Sequence, residues 1–345
     1  MALGKNLPDE LDFTLCGAKF GWTSSAAPAC LPVHPHYNLP IHPMIHLSWT
    51  GVMPATLTQF NADLTIDHGL MAEHGRWLID HGCSAIVPHG SLGEGATLSF
   101  QEKLALQKTY VAALPETPII PGIASLATKE AVDLAKAAKD HGCRGLMVLP
   151  PYLYASDWRE MKAHMSAVIG ATDLPCIIYN NPVAYKTDFL PAQLKELVDE
   201  FPNAAAVKES STDARRIAGI RELCGDRLAL GVGVDDCALE GAAMGAKFWI
   251  TGVGGAFPRH NVRLWDLATT GRIEEAMAIY TWMLPMLRMD TVVKFVQLIK
   301  LQQVLATGGK LGNNRVRPPR LELVGQELAE ATAIIEQALA TAPSV

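Results

Sequence analysis

Short apolar runs alternate with longer amphipathic segments along the chain from about residue 49 onward. In the short runs, hydrophobic residues occupy successive positions, which is typical of strands that are buried on both faces. We expect parallel strands here, because each run is separated from the next by a segment long enough for a helix. The runs are WTGVMPA, SAIVPHG, TPIIPGIA, RGLMVLPP, PCIIYNN, AAAVKES, LALGVG and KFWITGVGG.

In the longer intervening segments, apolar residues recur every three to four positions, which is the helical period. Several of these segments end at a glycine, the usual C-terminal stop of a helix, as at Gly82, Gly142 and Gly225. The segments are IDHGLMAEHGRWLIDHG, SFQEKLALQKTYVAAL, ATKEAVDLAKAAKDHG, DWREMKAHMSAVIG, LPAQLKELVDEF, DARRIAGIRELCG, DCALEGAAMGA and PRHNVRLWDLATTG.

Eight strand–helix units in succession predict an α/β fold, a (β/α)8 TIM barrel over residues 45–272. A doubly wound open sheet is the alternative. That fold needs a glycine-rich phosphate turn after its first strand, and WTGVMPATL contains no G-x-G-x-x-G. The pattern therefore favours the closed barrel.

The two ends of the chain depart from this alternation. Residues 273–345 contain three helix-like segments, RIEEAMAIYTWMLPMLRM, TVVKFVQLIKLQQVLAT and ELAEATAIIEQALAT, which we expect to pack on the barrel as a C-terminal three-helix extension. Residues 1–44 are rich in proline, show neither period, and lack a signal-peptide pattern, so we expect a flexible extension. The stretch VHPHYNLPIHPMIH brings four histidines together, but its prolines oppose a compact metal cage and no acid or cysteine completes a ligand set. We therefore predict no metal site at His34, His36, His42 and His46.

Composition narrows the possible partners. The chain of 345 residues is 49% hydrophobic and 19% charged, with a net charge of −6 and no basic stripe, which argues against nucleic acid. No apolar run approaches the about 20 residues of a membrane helix. The seven cysteines are scattered and form no C-x-x-C pair, which is typical of a reduced, cytoplasmic protein.

The stretch AAAVKESS carries Lys208 at the end of an apolar strand, where an unpaired lysine is rare. In a barrel of this kind, reactive groups lie at the C-terminal ends of the strands. Apolar walls there favour the neutral, nucleophilic amine, whose natural target is the carbonyl of a 2-oxo acid, giving a Schiff base. The alternative is a lysine that pairs with Glu209 or extends to solvent.

Two further stretches strengthen the first interpretation. Tyr179 ends the preceding strand, so its phenol is placed to shuttle protons beside Lys208, although a lone tyrosine also serves for packing. The small residues of GSLGE, residues 90–94, let backbone amides face a carboxylate. We expect Glu94 to brace that loop.

Taken in order, GSLGEGATLS, PPYLY, YNNP, VKES and GVGVDD resemble the family of dihydrodipicolinate synthase and N-acetylneuraminate lyase. The resemblance covers most of the chain from Trp49 onward. It implies a TIM barrel without metal or organic cofactor, assembled as a homotetramer that is a dimer of dimers. It also implies that Lys208 forms the Schiff base and Tyr179 shuttles protons, while the Ser91–Leu92 turn holds the substrate carboxylate and the Ser91 hydroxyl joins the proton relay.

The chain departs from the synthase pattern at several of the positions that the resemblance places around the substrate. Two threonines of the synthases are replaced by Ser91 and Leu92, and a second tyrosine that reaches the neighbouring subunit is replaced by Leu153, with Tyr154 one residue further on. The predicted substrate-binding set also includes three residues at the ends of later strands: Gly233, Val234 and Val253.

The arginine that grips the distal carboxylate in the synthases is replaced by Ala184. Lys186 could replace that arginine only by reaching back toward the distal carboxylate, and a lysine lacks the bidentate fork of arginine. Together with Leu92 and Leu153, Ala184 predicts an apolar, uncharged distal pocket. Such a pocket disfavours a second carboxylate and the polyhydroxylated sialic acids.

These departures favour a small 2-oxo acid or cyclic imine with one carboxylate. Among family branches, the stretches look most similar to the deaminase that converts 1-pyrroline-4-hydroxy-2-carboxylate to 2,5-dioxopentanoate. The alternatives are a pyruvate-dependent aldolase, a 2-keto-3-deoxy-sugar-acid dehydratase and dihydrodipicolinate synthase itself. A non-catalytic binding relative is the alternative from a different class.

Overall fold

A curled sheet of parallel strands forms the centre of the molecule. The structure is a computed structural model that describes residues 47–152 and 157–345. Neighbouring strands follow the order β1-β7-β6-β5-β4-β3-β2, which is the sequential order of a barrel opened at one seam. The strands are β1 (Gly51–Pro54), β2 (Gly122–Ile123), β3 (Leu146–Val148), β4 (Cys176–Asn180), β5 (Ala204–Glu209), β6 (Ala229–Val232) and β7 (Phe248–Thr251).

The predicted strand over residues 84–90 fills the seam between β1 and β2. The Val87 N–H donates to Pro54 O at 3.0 Å on one side, and the Ile86 N–H donates to Pro118 O at 3.0 Å on the other. This segment forms isolated bridges instead of a continuous strand, because prolines lack the N–H that a ladder needs. The prolines of the seam are Pro54, Pro88, Pro118 and Pro121. The ring is closed nevertheless, and the TIM barrel is confirmed.

Helices cover the outside of the barrel, and each helical segment that the period predicted contains one. The short α5 is the additional helix. The helices of the described ranges are α1 (His68–Asp80), α2 (Phe100–Ala113), α3 (Thr128–Asp140), α4 (Trp158–Ile169), α5 (Pro182–Tyr185), α6 (Pro191–Glu200), α7 (Arg215–Cys224), α8 (Ala238–Ala243), α9 (Pro258–Thr269), α10 (Ile273–Leu287), α11 (Phe295–Thr307) and α12 (Gly325–Ala340).

The period of two along the strands decides which side chains enter the barrel. In β5, Ala206 packs inside the barrel, whereas Val207 packs outward against the helices. In β4, Tyr179 likewise belongs to the interior cluster and Ile178 to the outer one. Lys208 is two residues after Ala206 and therefore faces the interior at the C-terminal end of β5.

The C-terminal helices reach the same end of the barrel. In α11, Val296 and Ile299 pack with Leu57 and Leu92, which lie on loops that follow the first two strand positions. Another apolar cluster joins α11 to α12 through Leu301 and Ile335, among others. The C-terminal extension thus supports the loop that carries Ser91 and Leu92.

Some of the predictions concern residues outside the described ranges. These are the N-terminal extension with its histidines, and Leu153 with Tyr154. Within the ranges described, no three His, Cys, Asp or Glu side chains are grouped so that they could hold a metal ion. The same part of the chain contains no helix with the length and apolar character needed to cross a membrane.

Candidate active site

Lys208 lies in a buried position at the barrel mouth, with 6% of its surface exposed. It is paired in register with Tyr179 of β4 and Gly231 of β6. Its Nζ lies 4.2 Å from the centroid of the Tyr179 ring, which is the distance of a cation–π contact. No carboxylate of the described residues forms an ion pair with it. The amine therefore contacts an aromatic face and has no described carboxylate within ion-pair distance.

Glu209, the alternative partner of Lys208, is engaged elsewhere. Its carboxylate accepts hydrogen bonds from Asn180 Nδ2 at 3.0 Å and from the Ser211 N–H at 2.7 Å. Burial raises the pKa of Glu209, and the bonds from Asn180 and Ser211 oppose that shift. The alternation of the strand directs neighbouring side chains to opposite faces, so Glu209 leaves Lys208 unpaired.

A glycine makes room for the lysine. A Cβ at Gly233 would overlap Lys208 Cε and Ser210 Oγ. Gly233 follows β6, the strand next to Lys208, so a larger residue there would displace the amine from the cavity. Gly233, which the sequence predicted at the site, is therefore needed because only a glycine leaves space for the Lys208 side chain.

A cavity of about 330 Å³ opens above Lys208. The lining includes most of the predicted residues, namely Ser91, Leu92, Tyr179, Ala184, Lys208, Gly233 and Val234. Val253 is fully buried and does not line it; its N–H donates to Asp235 Oδ2 at 2.8 Å. Lys186 also stays outside, because its Nζ donates to Val183 O at 3.2 Å.

Tyr185 joins the site, although the sequence analysis did not single it out. Its hydroxyl is hydrogen-bonded to Ser91 Oγ, and its ring meets Tyr179 edge-on with centroids 5.7 Å apart. Asn181 Nδ2 donates to the Tyr179 hydroxyl at 3.0 Å. Burial, and then the neighbouring Tyr179, hold the pKa of Tyr185 well above its usual range. One chain therefore supplies a row of hydroxyl groups from Ser91 through Tyr185 to Tyr179, beside Lys208.

The position of Tyr185 follows from a local signal. Asn181 caps α5, since its Oδ1 accepts from the Ala184 N–H at 2.9 Å, and Pro182 occupies the first helical position. The single turn ends at Lys186, whose φ of 61° is left-handed. Asn-Pro after a strand predicts this turn, and the turn brings Tyr185 back over the end of β4.

The 90–94 loop has the features of an anion site. The backbone N–H groups of Ser91 and Leu92 donate to no group in the described residues and are available to a carboxylate. Glu94 lies beneath them, where it forms a buried ion pair with Lys300 at 3.0 Å and accepts from the Arg317 N–H at 3.0 Å. Glu94 thus ties the loop to the C-terminal segment, which fits the bracing role expected of it.

One wall of the cavity is acidic, which differs from the prediction of an uncharged pocket. Asp290, in the turn between α10 and α11, lines the cavity. Asp235 lies beside it, fully buried, and burial raises its pKa to about 6 against the opposing hydrogen bonds of Val253 and Thr251. Nothing in the sequence near Lys208 indicates Asp290. The two residues come together only because the C-terminal extension folds over the mouth of the barrel.

Comparison with known proteins agrees with this geometry. The profile of the Dihydrodipicolinate synthetase family matches residues 48–338. The chain belongs to the dihydrodipicolinate synthetase family. It is an enzyme of the lyase class to which that family belongs, and the resemblance found in the sequence motifs is confirmed at this level.

Similar family members include proteins named 4-hydroxy-tetrahydrodipicolinate synthase. The one from Shewanella baltica is 34% identical over 232 residues, 67% of this chain and 79% of the relative. The one from Acidithiobacillus ferrooxidans is 33% identical over 230 residues, 66% of this chain and 79% of the relative. A crystal structure of a putative dihydrodipicolinate synthetase from Pseudomonas aeruginosa is 29% identical, with a TM-score of 0.79 over 84% of this chain and 100% of that one.

Proposed function

We propose that this family member is a lysine Schiff-base lyase whose substrate is a small 2-oxo acid or cyclic imine with a single carboxylate. The substrate that we propose is 1-pyrroline-4-hydroxy-2-carboxylate, which would be deaminated to 2,5-dioxopentanoate. The observation that carries the proposal is the cavity around Lys208, where an unpaired buried amine meets a row of hydroxyl groups. Lys208 is also the sole lysine or arginine among the described residues that line this cavity.

The missing second cation supports a substrate with one carboxylate. Ala184 lines the cavity at the position where the synthase pattern has an arginine, together with the apolar Leu92 and Val234. A second carboxylate would lie there without a cationic partner. This feature separates the chain from its relatives named 4-hydroxy-tetrahydrodipicolinate synthase, whose reaction remains the alternative.

In the first step, the substrate carboxylate binds the free N–H groups of Ser91 and Leu92. The Lys208 amine attacks C2 of the pyrroline, and the ring nitrogen leaves C2 as the free amine while staying attached to C5. The product is a Schiff base between Lys208 and the opened chain. The cation on nitrogen is the electron sink that makes the protons on C3 acidic.

In the second step, Tyr179 takes a C3 proton and shares it with Tyr185 and Ser91. The enamine that forms expels the C4 hydroxyl as water and leaves a C3–C4 double bond conjugated to the iminium. Loss of a C5 proton and return of a proton to C3 give an enamine at C4–C5, which tautomerises to an imine at C5. Hydrolysis of that imine frees ammonia, and hydrolysis at C2 frees 2,5-dioxopentanoate from Lys208. One water is lost and two are consumed, so the net reaction takes up one water for each ammonia released.

We propose that the protein forms a homotetramer, as the family resemblance implies, but that the proton relay is complete within one chain. The support is that Ser91, Tyr185 and Tyr179 all come from the same barrel. Light scattering coupled to size-exclusion chromatography measures the oligomeric state. A dilution series followed by activity then tests whether a dissociated subunit keeps its turnover.

The test of the proposed function is product identification after incubation with 1-pyrroline-4-hydroxy-2-carboxylate. We expect ammonia and 2,5-dioxopentanoate in equal amounts. Pyruvate without ammonia would contradict the deaminase and favour an aldolase. A condensation product from pyruvate and aspartate semialdehyde would favour the synthase. Failure of Lys208 to form an adduct with any 2-oxo acid would contradict a lyase altogether and leave a binding relative.

A further inference from the structure

The carboxyl group of Asp290 reaches the barrel mouth from the C-terminal extension. Asp290 lies in the short turn after α10, 82 positions after Lys208 in the chain. A Cβ at Gly252 would lie 2.8 Å from Asp290 Oδ1 and 3.1 Å from Leu92 Cδ2. Because Gly252 directly follows β7, these distances place the carboxyl group at the C-terminal end of that strand, on the rim that surrounds Lys208.

Asp235 and Asp290 are neighbours, but their partners differ. Asp235 is saturated: it accepts four hydrogen bonds of 2.8 to 3.1 Å. Their donors are Trp249 Nε1, Thr251 Oγ1 and the N–H groups of Gly252 and Val253. Asp290 has a hydrogen bond from the Asp235 backbone and forms no ion pair with a described residue. Asp235 therefore serves the structure of the rim, whereas Asp290 lines the cavity with fewer partners.

The surroundings favour the neutral acid at Asp290. Burial, followed by the charge of Asp235, holds the pKa of Asp290 well above its usual range, and Lys208 only partly opposes this. A neutral carboxyl group both donates and accepts a hydrogen bond. It can also give up a proton to a leaving group, which a carboxylate cannot do.

A second polar group of the cavity lacks a partner. Ser210 is 1% exposed, and its Oγ has no hydrogen-bond partner in the part of the chain that the structure describes. It lines the cavity two residues after Lys208, beside the space that Gly233 leaves open. Buried hydroxyl groups are nearly always hydrogen-bonded, so an orphan in the wall of a cavity favours a polar ligand there.

We propose that Asp290 is the catalytic acid of the elimination: it hydrogen-bonds the C4 hydroxyl of the substrate held on Lys208 and protonates it as it leaves. Ser210, whose Oγ lies close to the Lys208 side chain at Gly233, contributes a further hydrogen bond to the bound substrate. This inference rests on the proposed function, and it adds the residue that selects a hydroxylated substrate.

The step balances as follows. After Tyr179 has taken the C3 proton, the electron pair of the enamine forms the C3–C4 double bond and the nitrogen regains its positive charge. The C4–O bond breaks, and its electron pair takes the proton of Asp290 to give water. Asp290 is left as a carboxylate and recovers a proton from solvent, while Tyr179 returns the C3 proton to solvent.

Two readouts on Asp290→Asn separate this role from formation of the Schiff base. The first is exchange of the methyl protons of pyruvate in D2O, followed by NMR, which needs the Schiff base and the proton relay but no elimination. The second is ammonia release from 1-pyrroline-4-hydroxy-2-carboxylate, which also needs the elimination. We expect exchange at the wild-type rate and a loss of ammonia release of about 10²-fold, the size of a general-acid contribution.

Asp266→Asn is the control for loss of a carboxylate, because Asp266 is exposed on α9 and does not line the cavity. We expect it to keep both readouts. If Asp290→Asn does not fold, Asp290→Ser is measured in the same way, and normal pyruvate exchange reports an intact site.

If Asp290→Asn released ammonia at the wild-type rate, the proposal would be overturned. Equal losses of pyruvate exchange and ammonia release would also overturn it, because Asp290 would then only maintain the structure of the site. A wild-type protein that neither exchanges pyruvate protons nor releases ammonia would instead contradict the proposed function itself.

Discussion

Lys208 of the barrel and Lys300 of the C-terminal extension are both buried, but their surroundings are opposite. Lys300 is 0% exposed, and its Nζ donates to Thr58 O at 2.7 Å and to Arg315 O while forming an ion pair with Glu94 at 3.0 Å. Lys208 is nearly as buried, but it has an aromatic face and an open cavity instead of a close ion pair. Burial alone therefore does not distinguish a reactive lysine from a structural one; the set of partners does.

The two lysines are nevertheless connected. Lys300 holds Glu94, and Glu94 belongs to the 90–94 loop that presents Ser91 to the cavity. Burial lowers the pKa of Lys300, and the charge of Glu94 opposes that shift. Lys300 thus fixes the 90–94 loop, and the site around Lys208 depends on that loop.

The largest effect is expected from replacing the reactive lysine. Lys208→Arg keeps a cation but cannot form a Schiff base, so turnover should fall by at least about 10⁴-fold, as for other lost nucleophiles. Steady-state assays of ammonia release measure this, and circular dichroism checks that the fold is kept. Activity within tenfold of wild type (about 1.4 kcal/mol) would show that Lys208 is not the nucleophile.

Replacing the structural lysine should act on stability and not on chemistry. Lys300→Met removes the closer ion pair of the buried Glu94 and leaves only Arg320, at 4.0 Å, so the free energy of unfolding should fall by up to about 3–5 kcal/mol. Urea denaturation measures the change. The fraction that remains folded should still form a Schiff base with pyruvate.

The double variant Glu94→Gln, Lys300→Met is the control for that experiment. Removing both charges leaves no unpaired ion, so part of the lost stability should return. If the double variant were destabilised by the sum of the two single effects, the ion pair would not be what holds the loop.

The proton relay should give a smaller effect. Tyr185→Phe removes the hydroxyl between Ser91 and Tyr179, and we expect turnover to fall by about 10²-fold while the Schiff base still forms. Tyr152→Phe is the matched control, since its ring lies 5.7 Å from that of Tyr185 but it does not line the cavity. If Tyr185→Phe and Tyr152→Phe lowered turnover equally, Tyr185 would not be a member of the proton relay.

The smallest effect is expected when a second cation is added beside Lys208. Ala184→Arg places a guanidinium group at an exposed position of the cavity rim, where an ion pair contributes at most about 1 kcal/mol. Inhibition by 2-oxoglutarate, which has a distal carboxylate, should tighten by up to about fivefold. Inhibition by pyruvate is the control and should not change. An unchanged inhibition constant for 2-oxoglutarate would show that Ala184 does not determine the charge preference.

Much of the fold was predictable, because strand and helix periods are local properties. Alternation alone directs Tyr179 and Lys208 into the barrel, and glycine stops mark the ends of helices, as at Gly82 and Gly142, where φ is 92° and 88°. The predicted second strand differs only in detail, because its prolines and those beside it break the ladder into bridges.

The rest of the site was harder to predict, for two physical reasons. Tyr185 depends on a single helical turn, and only the Asn181–Pro182 pair signals that turn. Asp290 depends on how the C-terminal extension closes over the barrel, and no period in its own segment reports that contact. The sequence pattern therefore predicts an apolar distal pocket, whereas the structure adds an acid to it.

The most direct test of the central claim is borohydride reduction in the presence of pyruvate, followed by peptide mapping of the folded protein. The account predicts one covalent adduct, located at Lys208, with Lys300 unmodified. It would be contradicted if the folded protein formed no adduct, or if the adduct were found at another lysine.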